Sequence, residues 1–154
     1  MNNQGYKSAS ILLVEDDDID AMGIRRAFNR MKVAHPIVRA KDGIEALDIL
    51  QNGGVKHPYL ILLDLNMPRM GGLELLNVIR NDPHLETSVV FVLTTSKDDE
   101  DKLAAYKHHV AGYIVKEKLD EDFEQLVKML DHYWELVELP VDSAAAGTQY
   151  TRPV

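Results

Sequence analysis

Two apolar runs of this sequence are followed by carboxylates. These carboxylates are the side chains with the clearest potential for chemistry. One run is followed by Glu-Asp-Asp-Asp at 15–18, and another is followed by Asp64. Carboxylates held close together raise one another's pKa or recruit a cation, and hard oxygen ligands suit Mg²⁺. The sequence therefore predicts a magnesium site that includes Asp16 and Asp64, whereas Asp18 and Asp20 suit the start of a helix.

Two further apolar runs end in a hydroxyl cluster and in an amine. Thr-Thr-Ser at 94–96 follows one of them, and Lys116 follows the other. A carboxylate nucleophile needs Mg²⁺, a lysine and a hydroxyl beside it to form an aspartyl phosphate, because the transferred group carries several negative oxygens. If all four ends meet, Asp64 gains the surroundings that phosphorylation requires.

The elements that must bring these ends together are alternating strands and helices. Short runs rich in Ile, Leu and Val, without polar alternation, predict strands covered on both faces. These predicted strands are 10–14, 36–40, 59–63, 88–93 and 112–115. Apolar residues at helical spacing predict helices at about 21–31, 43–51, 72–80, 98–108 and 120–138.

Five strands joined by right-handed helical crossovers predict a flavodoxin-like, doubly wound α/β fold with a five-stranded parallel sheet and five helices. The strand order known from other folds of this kind, 2-1-3-4-5, makes strands 1 and 3 neighbours, with a ligand crevice at their carboxyl ends. We expect an N-terminal lead at 1–9, one domain at 10–139 and a tail at 140–154 that is too short for an output domain.

Composition limits the classes of partner. The 154 residues are 45% apolar and 27% charged, which is typical of one soluble domain. Acidic residues outnumber basic ones by 25 to 17, and the net charge of −8 disfavours nucleic acid and anionic membranes. Without cysteine, a long apolar span or a signal peptide, the sequence is typical of a cytoplasmic protein.

The motifs resemble the receiver domains of two-component response regulators over roughly residues 10–137. The resemblance is carried by Val-Glu-Asp-Asp at 14–17, Leu-Asp-Leu-Asn-Met-Pro at 63–68, Met-Gly-Gly at 70–72, Leu-Thr-Thr-Ser at 93–96 and Gly-Tyr-Ile-Val-Lys at 112–116. It implies a single-domain response regulator that receives a phosphoryl group from a sensor histidine kinase. Such a protein catalyses only its own phosphorylation and dephosphorylation, and so is not an enzyme for a separate substrate.

The resemblance also implies a role for each site residue. Asp64 would be the phosphoacceptor, Lys116 would contact the phosphoryl group, and Mg²⁺ would be held by Glu15, Asp16, Asp64 and the backbone carbonyl of Asn66.

Thr94 and Tyr113 would form the switch pair that reports phosphorylation. Thr94 is preferred to Thr95 because it lies 30 residues after Asp64 and 22 before Lys116, as the family register requires.

A narrower resemblance is to the single-domain regulators that serve bacterial phytochrome kinases. It rests on the hydroxyls at 94–96, on Glu117 where many receivers have proline, and on Trp-Glu-Leu-Val-Glu-Leu-Pro at 134–140. A phytochrome-type histidine kinase is therefore the expected partner.

Two protein contacts are expected. Met22, Arg25 and Arg26 on the exposed side of the first helix would dock the kinase, because basic groups on an acidic protein steer an acidic partner.

The last helix would form a homodimer. At 1.5 Å per residue a helix over 120–138 is about 28 Å long, so its end would overhang the sheet and expose Tyr133, Leu136 and Leu139. The expected interface is formed by Met129, Tyr133, Leu136 and Leu139, with the tail at 140–154 as an arm. The alternative is a monomer whose tail folds over its own helix.

Two other functions remain open, and a third is excluded. A pseudo-receiver would keep the fold as an interaction module without phosphotransfer. A magnesium phosphatase of the haloacid dehalogenase type also uses an aspartate nucleophile, but it needs a second acid where this chain has Asn66. A flavodoxin is excluded by the acidic loop at 15–18, because flavodoxins bind phosphate at that loop.

Overall fold

The computed structural model describes residues 9–140, which form one five-stranded sheet with helices on both faces. The strands are β1 (Ser10–Val14), β2 (Ile37–Ala40), β3 (Tyr59–Leu63), β4 (Val89–Thr94) and β5 (Gly112–Val115). The helices are α1 (Asp18–Arg30), α2 (Gly43–Gln51), α3 (Gly72–Arg80), α4 (Asp99–Lys107) and α5 (Glu124–Leu136). None of these helices is long and apolar enough to cross a membrane.

All strand pairs are parallel, and the order is β2-β1-β3-β4-β5, which confirms the predicted fold. Val14 pairs with Leu63 in the register of β1 and β3, so the two strands end at the same level. The residues that follow them, Glu15 and Asp64, are therefore held side by side at the carboxyl edge.

The uninterrupted apolar runs of β1 and β3 reflect burial on both faces of the sheet. Leu12 and Ile61 pack into the core layer beneath α2 and α3, whereas Ile11 and Leu60 pack into the layer beneath α1 and α5. Because successive side chains of a strand point to opposite faces, a single run supplies both layers.

Helix α5 is shorter than predicted. It begins at Glu124 rather than near 120, because Phe123 adopts a left-handed conformation with φ of 59°. The Asp120 carboxylate accepts the backbone N–H groups of Glu124 and Gln125 at 3.2 and 3.1 Å, which fixes the first turn. The helix ends at Leu136, so it spans 13 residues, and the predicted helix over 120–138 is wrong at both ends.

The chain after β5 forms a short 3₁₀ turn, Lys116–Lys118, which includes the Glu117 that stands where many receivers have proline. Glu117 in this turn forms an ion pair with Lys97, which follows β4. The turn leaves Lys116 at the carboxyl edge of the sheet, beside the ends of β1 and β3.

Candidate functional site

The three carboxylates predicted to hold a cation lie together. Oxygen atoms of Glu15, Asp16 and Asp64 lie within 4.8 Å of one another, so they form a group that can hold a divalent cation. Glu15 and Asp64 are buried and Asp16 is exposed. The backbone N–H of Asn66 donates to Asp64 Oδ1 at 3.4 Å, and the predicted role of the Asn66 carbonyl as a ligand remains a prediction.

Glu15 is the most deeply placed of these carboxylates. Its side chain is 1% exposed, and burial raises its pKa to about 7, with the nearby Asp64 carboxylate adding to the increase. The ammonium of Lys116 opposes that increase. A desolvated carboxylate among other carboxylates gains much from a hard cation, so the donor set fits Mg²⁺ or a similar ion.

Lys116 lies between these acids. Its Nζ donates to Glu15 Oε1 at 2.6 Å and to Asp20 Oδ2 at 2.7 Å, and it lies 3.9 Å from Asp64 Oδ2. The side chain is 11% exposed. Burial disfavours the charged form, but the hydrogen bonds to Asp20 and Glu15 outweigh it and raise the pKa of Lys116. The lysine is therefore a permanent positive charge at the site.

The predicted switch pair is connected through Ser96, which the sequence indicated only as a member of the hydroxyl cluster at 94–96. Thr94 is fully buried at the end of β4, and its Oγ1 accepts the backbone N–H of Ser96 at 3.3 Å. The Tyr113 hydroxyl donates to the Ser96 carbonyl at 3.0 Å. The Ser96 hydroxyl in turn donates to Asp101 of α4 at 2.6 Å. Ser96 thus links Thr94, Tyr113 and α4.

Arg39 of β2 is a residue that the sequence did not reveal. Its guanidinium donates to the backbone carbonyl of Glu15 at 3.0 and 2.9 Å, and to the Asp18 carboxylate at 2.7 Å. These contacts fix the start of the acidic loop. A charged residue inside an otherwise apolar strand was the available sequence signal.

The predicted docking residues are exposed on α1. Met22 is 48% exposed, and Arg25 and Arg26 are also exposed. A groove of about 610 Å³ runs between α1 and the segment after β5. Arg26 and Arg30 line this groove, whereas Met22 and Arg25 are not among its lining residues.

The predicted dimer residues do not share one exposed face. Leu136 is 84% exposed, but Met129, Tyr133 and Leu139 are partly buried and pack against the α1/α5 core layer. Tyr133 makes an edge contact with Phe91, with ring centroids 5.1 Å apart. Tyr133 and Leu139 are partly buried rather than exposed as expected, because both pack against this core layer. The lead at 1–8 and the tail at 141–154 lie outside the described residues.

The sheet order, the acidic group and Lys116 at the carboxyl edge define a receiver-type protein. A model of the response regulator receiver domain matches residues 11–131, and the chain belongs to this family. It is 41% identical over 127 residues to the "Probable methanogenesis regulatory protein FilR2" of Methanothrix harundinacea, covering 80% of this chain and 82% of the relative.

Two cyanobacterial regulators are similar over nearly their whole length. Response regulator Rcp1 of Synechocystis is 34% identical over 145 residues, covering 91% of this chain and 99% of the relative. The crystal structure of its Mn²⁺-bound form superposes with a TM-score of 0.76, at 35% identity over 86% of this chain and 99% of that one. The phosphorylated cyanobacterial phytochrome response regulator RcpA gives a TM-score of 0.77 at 35% identity, over 87% and 99% of the two chains.

Proposed function

We propose that Asp64 accepts a phosphoryl group from a phosphohistidine of a sensor kinase, in a Mg²⁺-dependent reaction, and that the protein signals by the resulting conformational change. The observation that carries this proposal is the group of Glu15, Asp16 and Asp64 within 4.8 Å, with Lys116 beside it. The Mn²⁺-bound form of Rcp1 and the phosphorylated form of RcpA support it, because both are regulators similar to this chain.

Each side chain has a defined part in this reaction. An oxygen of Asp64 forms a bond to phosphorus, while the phosphorus–nitrogen bond of the donor breaks and its electron pair leaves on the imidazole. Glu15, Asp16, Asp64 and the Asn66 carbonyl would hold Mg²⁺, which would supply positive charge to the phosphoryl oxygens. Lys116, whose Nζ lies 3.9 Å from Asp64 Oδ2, offers a further positive charge. The protein thus acts on its own Asp64 rather than on a separate substrate.

Acyl phosphate formation tests the proposal directly. Acetyl phosphate and Mg²⁺ should add one phosphoryl group to the protein, and Asp64→Asn should abolish the addition, as measured by intact mass. Glu45→Gln, which alters an acid of α2 outside the carboxylate group, is the control and should be labelled normally. A wild-type protein that stays unlabelled, or a labelled Asp64→Asn variant, would contradict the assignment. The first outcome would favour the pseudo-receiver.

The switch proposal follows from the Ser96 contacts. A phosphoryl group adds about 1.5 to 2 negative charges and three acceptor oxygens, so it attracts the Thr94 hydroxyl. Thr94 then gives up its contact with the Ser96 N–H, and Tyr113, whose hydroxyl bonds the Ser96 carbonyl, rotates inward. Structures of the free and beryllofluoride-bound protein test this. One unchanged Tyr113 rotamer in both forms would rule out the coupling.

For the partner, we propose a phytochrome-type histidine kinase, supported by the likeness to RcpA. Its phosphohistidine helix docks on α1, where Met22, Arg25 and Arg26 are exposed and Arg26 lines the groove. Reversing Arg25 and Arg26 to Glu should slow transfer from the kinase and leave labelling by acetyl phosphate unchanged. Equal slowing with both donors would reject docking at this surface.

For assembly, we propose a homodimer centred on the end of α5, supported by the exposed side chains of Leu136 and Val137. Light scattering at micromolar concentration should give twice the monomer mass, and Leu136→Glu should halve it. Lys128→Glu, which changes charge on an exposed part of the same helix, is the control. A monomer mass for the wild-type chain, unchanged by phosphorylation, would favour the alternative in which the tail covers its own helix.

A further inference from the structure

Asp20 occupies the first turn of α1, but its carboxylate does not cap the helix. Asp17 provides the cap, because its Oδ1 accepts the backbone N–H groups of Ile19 at 2.9 Å and Asp20 at 3.0 Å. The Asp20 Oδ2 instead accepts a hydrogen bond from Lys116 Nζ at 2.7 Å, across 96 residues of sequence. Asp20 therefore has a specific partner in Lys116 in addition to its favourable place in the first helical turn.

The Lys116 ammonium has three N–H donors, and two of them are used by short hydrogen bonds. Glu15 accepts one at 2.6 Å and Asp20 accepts another at 2.7 Å. Asp64 Oδ2, at 3.9 Å, is too distant for a hydrogen bond. Asp64 therefore does not take up the third donor, and an oxygen of a phosphoryl group carried by Asp64 is the acceptor that would use it.

The two carboxylates that hold Lys116 differ in one respect. Glu15 belongs to the group of three that can hold a cation, and Asp20 does not. When a cation engages the Glu15 carboxylate, the hydrogen bond from Lys116 to Glu15 weakens, because both compete for the same oxygens. Asp20 is then the carboxylate that still restrains the long and otherwise mobile lysine side chain.

We infer that Asp20 is a positioning residue for phosphorylation: it holds Lys116 with one N–H directed at the phosphoryl group arriving on Asp64. This inference rests on the proposed function of Asp64. Asp20 acts through Lys116 and is not one of the three carboxylates grouped for a cation.

The direction in which the labelling rate changes when Asp20 is substituted distinguishes positioning of Lys116 from a simple effect of charge. Removing a carboxylate near the site reduces repulsion of an anionic donor, so charge alone predicts faster labelling. Positioning predicts the opposite for Asp20→Ala, because Lys116 loses an acceptor. Asp20→Asn removes the same charge but keeps an oxygen acceptor in the same place, so it should preserve the position of the lysine.

The test uses acetyl phosphate as the donor at saturating Mg²⁺, with the full chain. We expect Asp20→Ala to lower the labelling rate about tenfold, Asp20→Asn to match or exceed the wild-type rate, and the Mg²⁺ concentration for half-maximal rate to stay the same in both. Glu45→Ala is the matched control. Glu45 is likewise the third residue of its helix and follows an aspartate cap, so this variant reports any effect of losing an acid from a first helical turn.

The outcomes are distinct. An Asp20→Ala rate at or above the wild-type rate overturns the inference, and so does an Asp20→Asn variant as slow as Asp20→Ala. Slow labelling of Glu45→Ala to the same degree also overturns it, because the effect would then belong to helix starts in general. If the wild-type protein is not labelled at all, the proposed function of Asp64 fails instead.

Discussion

Gly72, the first residue of α3, is the position where one methyl group should disturb the site most. A Cβ added there would lie 2.4 Å from the Asp64 carbonyl oxygen and 2.8 Å from Leu65 Cα. Both atoms belong to the backbone directly after the Asp64 side chain, so no side-chain rotation can relieve the overlap. The Gly72→Ala substitution therefore has to displace the Asp64–Leu65 segment or the start of α3.

Two opposed effects decide the size of the change. Alanine is more favourable than glycine inside a helix by about 1 kcal/mol. Overpacking costs typically about 1 to 3 kcal/mol, and rigid backbone neighbours favour the upper end. We expect Gly72→Ala to lower the free energy of unfolding by about 2 kcal/mol, as measured by urea denaturation. We also expect slower labelling by acetyl phosphate, because a shift of about 1 Å at reacting groups is enough to lower rates strongly.

Gly71→Ala is the matched control for this experiment. Gly71 is the N-cap of the same helix, has a negative φ of −76°, and a Cβ there would lie 3.3 Å from the Leu65 carbonyl oxygen. That contact is tight but relieved by a small shift, so we expect a loss below about 1 kcal/mol. Equal stability losses in Gly71→Ala and Gly72→Ala, or normal labelling of Gly72→Ala, would refute the reasoning.

Two further predictions concern polar side chains that hold loops of the fold together. Arg80 donates to the carbonyls of His108 and His109 at 2.6 and 3.1 Å, and to those of Glu86 and Ser88 at 2.7 Å each. Arg80→Ala should therefore lower the free energy of unfolding by about 2 to 3 kcal/mol, as measured by urea denaturation. A decrease below about 0.5 kcal/mol would contradict this prediction. Asp42 accepts the backbone N–H of Glu45 and pairs with Arg69, and these contacts hold its pKa below the usual value. The stability it adds is present above the ordinary aspartate pKa and is lost as pH falls through the lowered pKa of Asp42 in the folded protein. Asp42→Asn should therefore be less stable than the wild type near pH 7, and the difference should shrink over the acidic range in which Asp42 becomes protonated. A constant difference across that range would contradict the pKa assignment.

Some contacts at the site are set by adjacent strand ends and were predictable from the sequence, whereas the hydrogen bonds of its charged side chains were not. Glu15 and Asp64 were predictable as neighbours, because strands buried on both faces stand out as apolar runs and parallel strands end at one edge. The structure confirms the strand order and places these residues together. The partners of Arg39 and Asp20 were not predictable, because a charged side chain at the edge of a sheet has many possible partners in space.

The sequence by itself determined the order of strands and helices along the chain, because that order depends on local hydrophobic pattern. It placed the acids together at the carboxyl edge only with the strand order known from other doubly wound folds, which the structure confirms. Only the tertiary structure decided where α5 begins. The left-handed Phe123 packs so closely on Gly23 of α1 that a Cβ at Gly23 would lie 2.9 Å from its ring, and no local pattern encodes that contact. Likewise, the choice of Asp20 rather than Asp64 as the short partner of Lys116 depends on distances between separate elements, which a one-dimensional pattern does not contain.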